Sequence, residues 1–384
     1  MLIVKILTNA TFIPDKMDLY IFANFGKLNE IPKSGGQTSA RRVMDGMKKM
    51  GYNVHPIVKH RSELKGKIAH QFEILFFAFI DLLKICSTLI FKSRKNAAFM
   101  MLTYAGSLVP FEWIITKTVR VLGYKSIYYL KGGKLIDTFS TGSERHKRLF
   151  KATMDDQALA LFEGTASMDI VKGISDTALV YFPNYISDGL VDEKPIERSA
   201  DNINVLYFGR IAPEKHIDVC IDAFEILCEK YKSMHLTIIG GYTRAVEYGK
   251  RIEKKISDSV YSNRIEWIGN SPFELIQEKM KTHRFFIFPT HEKAEGHSNS
   301  LTEAMSQGLI PVASNWHFNK AIVGDDLLIV EGYDPHDYAK RIDEIISDGN
   351  MDYLSDKIRK RVEDNYLESV VLSRIGQELQ KVFI

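Results

Sequence analysis

"SGGQTSARRVMDGMKKMGYNVHPIVKH", residues 34–60, sets the fold class. Two glycines open it as a loop. Val43, Met47 and Met50 then fall at i, i+4 and i+7, which is one face of a helix. Gly51 stands where a helix stops, and the run around Val54, Ile57 and Val58 predicts a strand. Upstream, the apolar run "LIVKILTN" at 2–9 supplies a first strand. Strand, glycine loop, helix and strand make a βαβ unit, and such units build parallel sheets.

The alternation continues outward from this unit. "AAFMMLTYA" (97–105) and "YKSIYYLKGG" (124–133) predict strands, with the helix "FEWIITKTVRVL" between them. A long helical stretch follows to about residue 172, interrupted by a short strand at "ALALFEG". "ALVYFPNYIS" (178–187) is a strand that runs into Pro183-Asn184, which break regular structure and mark a hinge. The second half restarts with strands at 204–210, 235–241, 265–270, 285–290, 310–315 and 326–332, and a helix at 217–231. The last stretch is helical in period. The fold expected is α/β, two tandem doubly wound Rossmann-like domains facing across a cleft. The boundaries expected are 1–186, 187–365 and a terminal helix over 366–384 that returns to the first domain.

Composition is compatible with this. The chain has 384 residues, 45% hydrophobic and 26% charged, which suits two soluble domains and argues against disorder. Its 51 basic and 48 acidic residues give a net charge of +3, too balanced to call for nucleic acid. The cysteines Cys86, Cys220 and Cys228 show no CxxC spacing, so a reducing cytoplasm is the expected compartment. The N-terminus lacks the basic region and cleavage site of a signal peptide.

Residues 65–95 are the most hydrophobic region, but Asp81 and Lys84 interrupt them, which argues against a membrane span. Lys65, Lys67, Lys92, Arg94 and Lys95 flank Phe76, Phe77, Phe79 and Phe91. That pattern suits a helix resting on an anionic membrane surface; a plain buried helix is the other reading.

Two stretches carry candidate chemistry. In "YFGRIAPEKHID" (207–218) a strand ends at Gly209, Arg210 lies in the loop, and Lys215 stands close to a helix start. A cation there opposes the helix dipole at a cost of up to about 1 kcal/mol. An anion held between the helix end and both cations would remove that cost, and Arg with Lys suits a diphosphate. Solvated surface charge is the plainer alternative. In "AEGHSNSLTEAMSQGLIPVAS" (294–314), Ser300 and Glu303 fit an S-x-x-E capping box. Glu295 is outside that box, and the Ser298-Asn299-Ser300 run offers amides at a helix N-terminus. Amides for phosphate and carboxylates for vicinal hydroxyls read as a nucleotide-sugar site. Gly35-Gly36 ahead of the first helix allows close backbone approach to a ligand, or is a simple βα turn. No Asp-x-Asp pair, HExxH or GxSxG occurs, so no metal site or serine nucleophile is expected.

These residues resemble the retaining glycosyltransferases of family 4, which have the GT-B fold. The resemblance rests on "VLYFGRIAPEKHID", "IEWIGN", "FFIFPT" and the E-x7-E pair Glu295 and Glu303, and on the N-terminal glycine loop and the "YFPNYIS" linker. It is thin from 61 to 180. It implies that Arg210 and Lys215 bind the donor diphosphate and stabilise the leaving nucleotide. Glu295 would contact the donor sugar and Glu303 the ribose. Gly36, Gly296, His297, Ser298, Asn299, Ser300 and Leu301 would complete the donor site. Gly35, Gln37, Lys131 and Gly132 would lie toward the acceptor or sugar. Transfer would proceed with retention and without a metal or other cofactor, from a nucleotide-diphosphate sugar, UDP first. The acceptor would be a saccharide, with an undecaprenyl-diphosphate-linked form suited to the 65–95 segment, in cell-surface polysaccharide synthesis such as O-antigen or capsule. Donor binding would close the cleft. The family pattern has a histidine after a mid-domain strand where this chain reads "YYLKGGK" with Lys131, and an aromatic is frequent where His297 stands. Two other classes share the fold: a nucleotide-sugar epimerase, which lacks the E-x7-E pair, and a silent binding or scaffold protein, which would have lost Arg210, Lys215 or Glu295.

Overall fold

The computed structural model describes residues 17–31, 34–60, 67–192, 195–243 and 245–383. The strand expected at 2–9 lies outside them. The first strand described, β1 (Asp18–Ala23), falls on "DLYIFA". This run begins at Asp18 and stops before Asn24, carries a weaker pattern than the one upstream, and sequence reading passed over it.

β1 is followed by β2 (Asn53–Val58), β3 (Ala97–Thr103), β4 (Lys125–Leu130), β5 (Leu159–Phe162) and β6 (Leu179–Tyr181). They form one parallel sheet in the order β2-β1-β3-β4-β5-β6. All seven residues of β3 are buried, as expected of a central parallel strand covered on both faces. The helix between β1 and β2 spans Gly35–Lys49 and is capped by the Ser34 side chain on Gln37 N–H. The two glycines are therefore its first residues, and not the loop expected. Val43 and Met47 face the sheet, and Gly51, at φ 92, ends the turn. The long helix expected up to residue 172 divides into Lys134–Thr141, Glu144–Asp155 and, beyond β5, Thr165–Lys172. Gly142 and the capping Ser143 make the first break.

The second sheet is built from β7 (Val205–Phe208), β8 (Leu236–Ile239), β9 (Ile265–Gly269), β10 (Phe285–Phe288), β11 (Ile310–Ser314) and β12 (Ile329–Val330). Its order is β12-β11-β10-β7-β8-β9, again parallel. Chain direction across the sheet reverses between β7 and β10, and a doubly wound sheet opens its crevice at such a point.

Two crossings join the domains side by side. Ile186 N–H donates to Tyr366 O at 3.0 Å, and Glu368 N–H donates to Ile186 O at 2.8 Å. Beyond this seam the helix Glu368–Phe383 packs Leu372, Ile375 and Leu379 against Leu19, Ile21, Val43 and Met47 of the first domain. The last helix thus returns to the first domain, as the fold expectation required.

The helix Lys67–Leu89 has two apolar faces. Ile85 and Leu89 enter the core, while Phe72, Leu75, Phe76, Phe79 and Leu83 are more than half exposed. These exposed positions repeat at three- and four-residue intervals, so they form one outward stripe. Phe77, grouped with Phe76 and Phe79 in the sequence pattern, instead stacks on His60 at 5.0 Å. No helix among the described residues is long and apolar enough to cross a membrane.

Candidate active site

The carboxyl ends of both sheets open onto one cleft of about 1030 Å³. Its walls include Tyr104 after β3, Gly132 after β4, Glu163 after β5, Arg210 after β7, Tyr242 after β8 and Glu292 after β10.

At the β7/β10 reversal, cations leaving β7 meet carboxylates leaving β10. Arg210 Nη2 donates to both oxygens of Glu292, each at 2.7 Å. Lys215 Nζ lies 2.9 Å from Glu292 Oε2, is ion-paired with Glu295, and donates to Thr290 Oγ1 at 3.3 Å. Lys215 sits in a 3₁₀ turn ahead of His216, whose left-handed φ of 49 starts the helix Ile217–Lys230. Lys215 is 7% exposed. A cation so buried needs anions beside it, and a single missing partner would be costly. Glu292 and Glu295 supply them, and their environments separate. Burial works against the charge on Glu292, but Lys215 and then Arg210 outweigh it and hold its carboxyl below the usual range. Burial dominates at Glu295 and raises it, with Lys215 opposing.

The other domain closes on this cluster through glycines. A Cβ at Gly296 would lie 2.9 Å from Gly132 Cα, and one at Gly132 would lie 3.0 Å from Ala294 O. No side chain larger than hydrogen fits between these walls. Beneath them Glu163 accepts from Gly132 N–H at 2.7 Å and pairs with Lys131 Nζ at 2.5 Å. Lys131 also donates to Asn184 Oδ1 at 2.9 Å. Asn184, from the expected hinge, donates in turn to His297 O at 2.8 Å. Arg42 adds a second strap, donating to Tyr185 O at 2.7 Å and to Asn299 Oδ1 at 3.0 Å.

Of the residues singled out in the sequence, Gly35, Gly36, Lys131, Gly132, Arg210, Lys215, Glu295, Gly296, His297, Asn299 and Ser300 line this cleft. Gln37, Ser298, Leu301 and Glu303 do not. Gln37 is buried against Gly26. The helix Asn299–Ser306 is capped by Ser298, which accepts from Leu301 N–H at 3.4 Å. This corrects the capping box: Ser300 is already inside the helix, and the Leu301 amide is engaged by the cap. The His297 ring is turned inward, with Nε2 2.8 Å from Thr302 Oγ1 and an edge-on contact to Tyr366. Burial, followed by Lys131 and Arg42, pushes its pKa down to about 3, so it is neutral.

Glu303 lies one turn beyond Asn299, on the same helical face. Its carboxylate has no hydrogen bond or ion pair among the described residues, and burial, partly offset by Arg42, raises its pKa. Sequence reading missed Glu292, Glu163 and Asn184. Glu163 carried a usable signal, an acid directly after the apolar run "LALF" and followed by glycine. Glu292 carried none, since an acid in "THEKAEG" reads as ordinary loop.

Residues 191–365, the greater part of the second domain, match the family model described as "Glycosyl transferases group 1". A phosphatidylinositol N-acetylglucosaminyltransferase subunit from Arabidopsis thaliana is 20% identical over 59% of this chain and 50% of its own length. The capsular polysaccharide biosynthesis glycosyltransferase CapM of Staphylococcus aureus is 24% identical over 56% of this chain and 54% of its own. The chain thus spans about half the length of these curated relatives. Among solved structures, sucrose-phosphate synthase from Thermosynechococcus elongatus superposes with a TM-score of 0.74 at 14% identity, covering 96% of this chain and 99% of that one. Anabaena HepE in complex with UDP gives 0.70 at 13% identity, covering 95% and 100%. These likenesses place the fold as GT-B.

The state of Glu303 has a pH signature. Its folded pKa is above the ordinary glutamate value near 4.5, so between the two the folded protein binds more protons than the unfolded chain. Stability therefore falls as pH rises through that window. Glu303→Gln removes this loss: the empty variant melts higher than wild type at pH 7.5 and close to it at pH 4.5. Thermal melts across that range check this, and a variant that melts lower at pH 7.5 would contradict it.

Proposed function

We propose that the protein is a retaining glycosyltransferase that moves a hexose or N-acetylhexosamine from a nucleotide-diphosphate sugar to a saccharide acceptor. The observation that carries this is the cluster of Arg210, Lys215, Glu292 and Glu295 at the β7/β10 reversal, set against Gly132 of the other domain. Two cations held by a displaceable carboxylate make a site for a second anion. In this reading the donor diphosphate replaces Glu292 between Arg210 and Lys215. As the bond from the anomeric carbon to the leaving oxygen breaks, both cations neutralise the charge that develops on the diphosphate, without a metal. The bond to the acceptor oxygen forms on the same face, and the acceptor proton passes to the departing diphosphate. The Asn299 and Ser300 amides, which make no hydrogen bond among the described residues, supply further donors. Glu295 reads donor-sugar hydroxyls, and Glu303, whose carboxylate has no hydrogen bond or ion pair among the described residues, reads the ribose.

UDP is the first nucleotide to consider, because HepE is described with UDP and with UDP-glucose. The name of CapM favours a place in capsular or similar surface polysaccharide synthesis. A lipid-linked acceptor fits the outward stripe of Phe72, Leu75, Phe76, Phe79 and Leu83, whose helix is followed in the chain by the exposed Lys92, Arg94 and Lys95. Aromatic side chains beside basic ones suit the face of an anionic bilayer, and the protein would work there from the cytoplasm.

Screening nucleotide sugars by thermal shift and donor hydrolysis tests the assignment. One donor stabilises the wild type and is turned over, while Arg210→Ala and Lys215→Ala each lower turnover by about 10²-fold or more. Absence of response to every nucleotide sugar would overturn the transferase reading in favour of a silent scaffold. For the membrane face, wild type co-sediments with phosphatidylglycerol vesicles and Phe76→Ser/Phe79→Ser does not; equal sedimentation of both would remove that part of the account.

A further inference from the structure

Tyr104 is the first residue past β3, and the donor chemistry leaves it unused. It lines the cleft and is 41% exposed. Two glycines seat it. A Cβ at Gly36 would lie 2.8 Å from the Tyr104 hydroxyl oxygen, and one at Gly132 would lie 3.2 Å from Cδ1 of its ring. The same Gly132 position is 3.0 Å from Ala294 O. Only the Gly132 backbone therefore separates Tyr104 from the segment that carries Glu295. A ligand resting on Tyr104 would lie beside the donor-sugar position that Glu295 marks.

The turn behind Tyr104 is built to hold it. Ala105 is fully buried and has a φ of 47, in the left-handed region that a Cβ disfavours. Such a conformation persists only where the surroundings over-determine it, and it gathers at ligand sites. Ala105 N–H donates to Thr103 Oγ1 at 3.5 Å, and Ala105 O accepts from Thr138 Oγ1 at 3.2 Å. Thr103 Oγ1 donates in turn to Glu112, whose other oxygen accepts from Tyr128 O–H at 2.6 Å. Glu112, on the helix Val109–Val121, is 2% exposed, so a buried carboxylate is committed to this turn. Thr103 O also accepts from Lys131 N–H at 2.7 Å, which fixes the Tyr104 loop against the Gly132 loop. A phenol held this way presents a rigid apolar body with a polar tip. A pyranose is matched to it, because axial hydrogens make one face of the sugar ring apolar while hydroxyls surround the edge.

We propose that Tyr104 is the platform for the acceptor sugar, a pyranose stacked by its C–H face on the phenol ring. Glu112 is a positioning residue that acts through Thr103 and Ala105. The inference rests on the transferase reading above and adds to it the surface on which the acceptor ring sits.

Dissociation constants of methyl β-glucoside, methyl β-galactoside and glycerol are measured by ligand-observed NMR on the full chain saturated with UDP. Glycerol carries hydroxyls but no ring. In the wild type at least one glycoside binds about fivefold or more tightly than glycerol. Tyr104→Ala erases that preference and Tyr104→Phe keeps it, while both bind UDP as the wild type does. Glu112→Gln weakens the glycoside, and Tyr104→Ala/Glu112→Gln is no weaker than Tyr104→Ala alone, because the two residues act as a unit. Tyr104 is exposed, so its replacement does not threaten the fold, and melting curves verify this for each variant. The proposal is overturned if no glycoside preference exists, if the preference survives Tyr104→Ala, or if that change weakens UDP by the same factor. It is also overturned if Tyr104→Ala weakens the UDP-sugar chosen by the donor screen relative to UDP, since the ring would then serve the donor sugar. If UDP does not bind the wild type, it is the donor reading that fails, and the same glycoside comparison without UDP decides on Tyr104.

Discussion

Burial of the Lys215 ammonium is the constraint on which the rest of the site depends. A lysine 7% exposed at the bottom of a cleft is tolerable only with carboxylates against it. Glu295 and Glu292 meet that need, and Arg210 in turn compensates Glu292. The cluster is therefore a balanced set of two positive and two negative groups. The two acids are not equivalent: Glu292 is held charged by its cations, whereas burial dominates at Glu295. Glu292 is also the more exposed of the pair, with side chains at 22% and 15%. It is the carboxylate that an incoming anion can replace at least cost.

The fold explains why these groups meet. β7 and β10 are adjacent in space but 76 residues apart from the end of one to the start of the next (Phe208 to Phe285, counting those between). The order reversal lets their loops diverge and leaves a crevice. The facing domain completes it with Gly132, seated on Glu163, and the linker residue Asn184 ties Ser39, Lys131 and His297 together. The linker is therefore part of the cleft floor, and any relative movement of the domains acts directly on the site.

Much of this was legible in the sequence, for reasons that can be named. The strands from β2 to β11 announced themselves through apolar runs bounded by Gly, Pro and Asn, and Arg210, Lys215 and Glu295 through charge placed where a strand or helix ends. The failures have equally local causes. β1 was eclipsed by the stronger apolar run at 2–9. The first helix takes in Gly35 and Gly36 because Ser34 caps it. Ser298 outcompetes Ser300 as cap because it sits one residue outside the helix in extended backbone. Glu292 and Glu163 depend on contacts over tens of residues, and no spacing rule reaches that far. Phe77 looked like its neighbours Phe76 and Phe79, yet a rotation of about 100° per residue turns it inward.

The most direct measurement is a crystal structure of the protein with UDP. If the account is right, the diphosphate lies between Arg210 and Lys215, and Glu292 has released both oxygens from the Arg210 guanidinium. Lys215 would keep Glu295, and the Asn299 and Ser300 amides would face phosphate oxygen. A structure with UDP bound elsewhere and the Arg210–Glu292 pair intact would contradict it, and would make the cluster a structural ion pair instead of a substrate site.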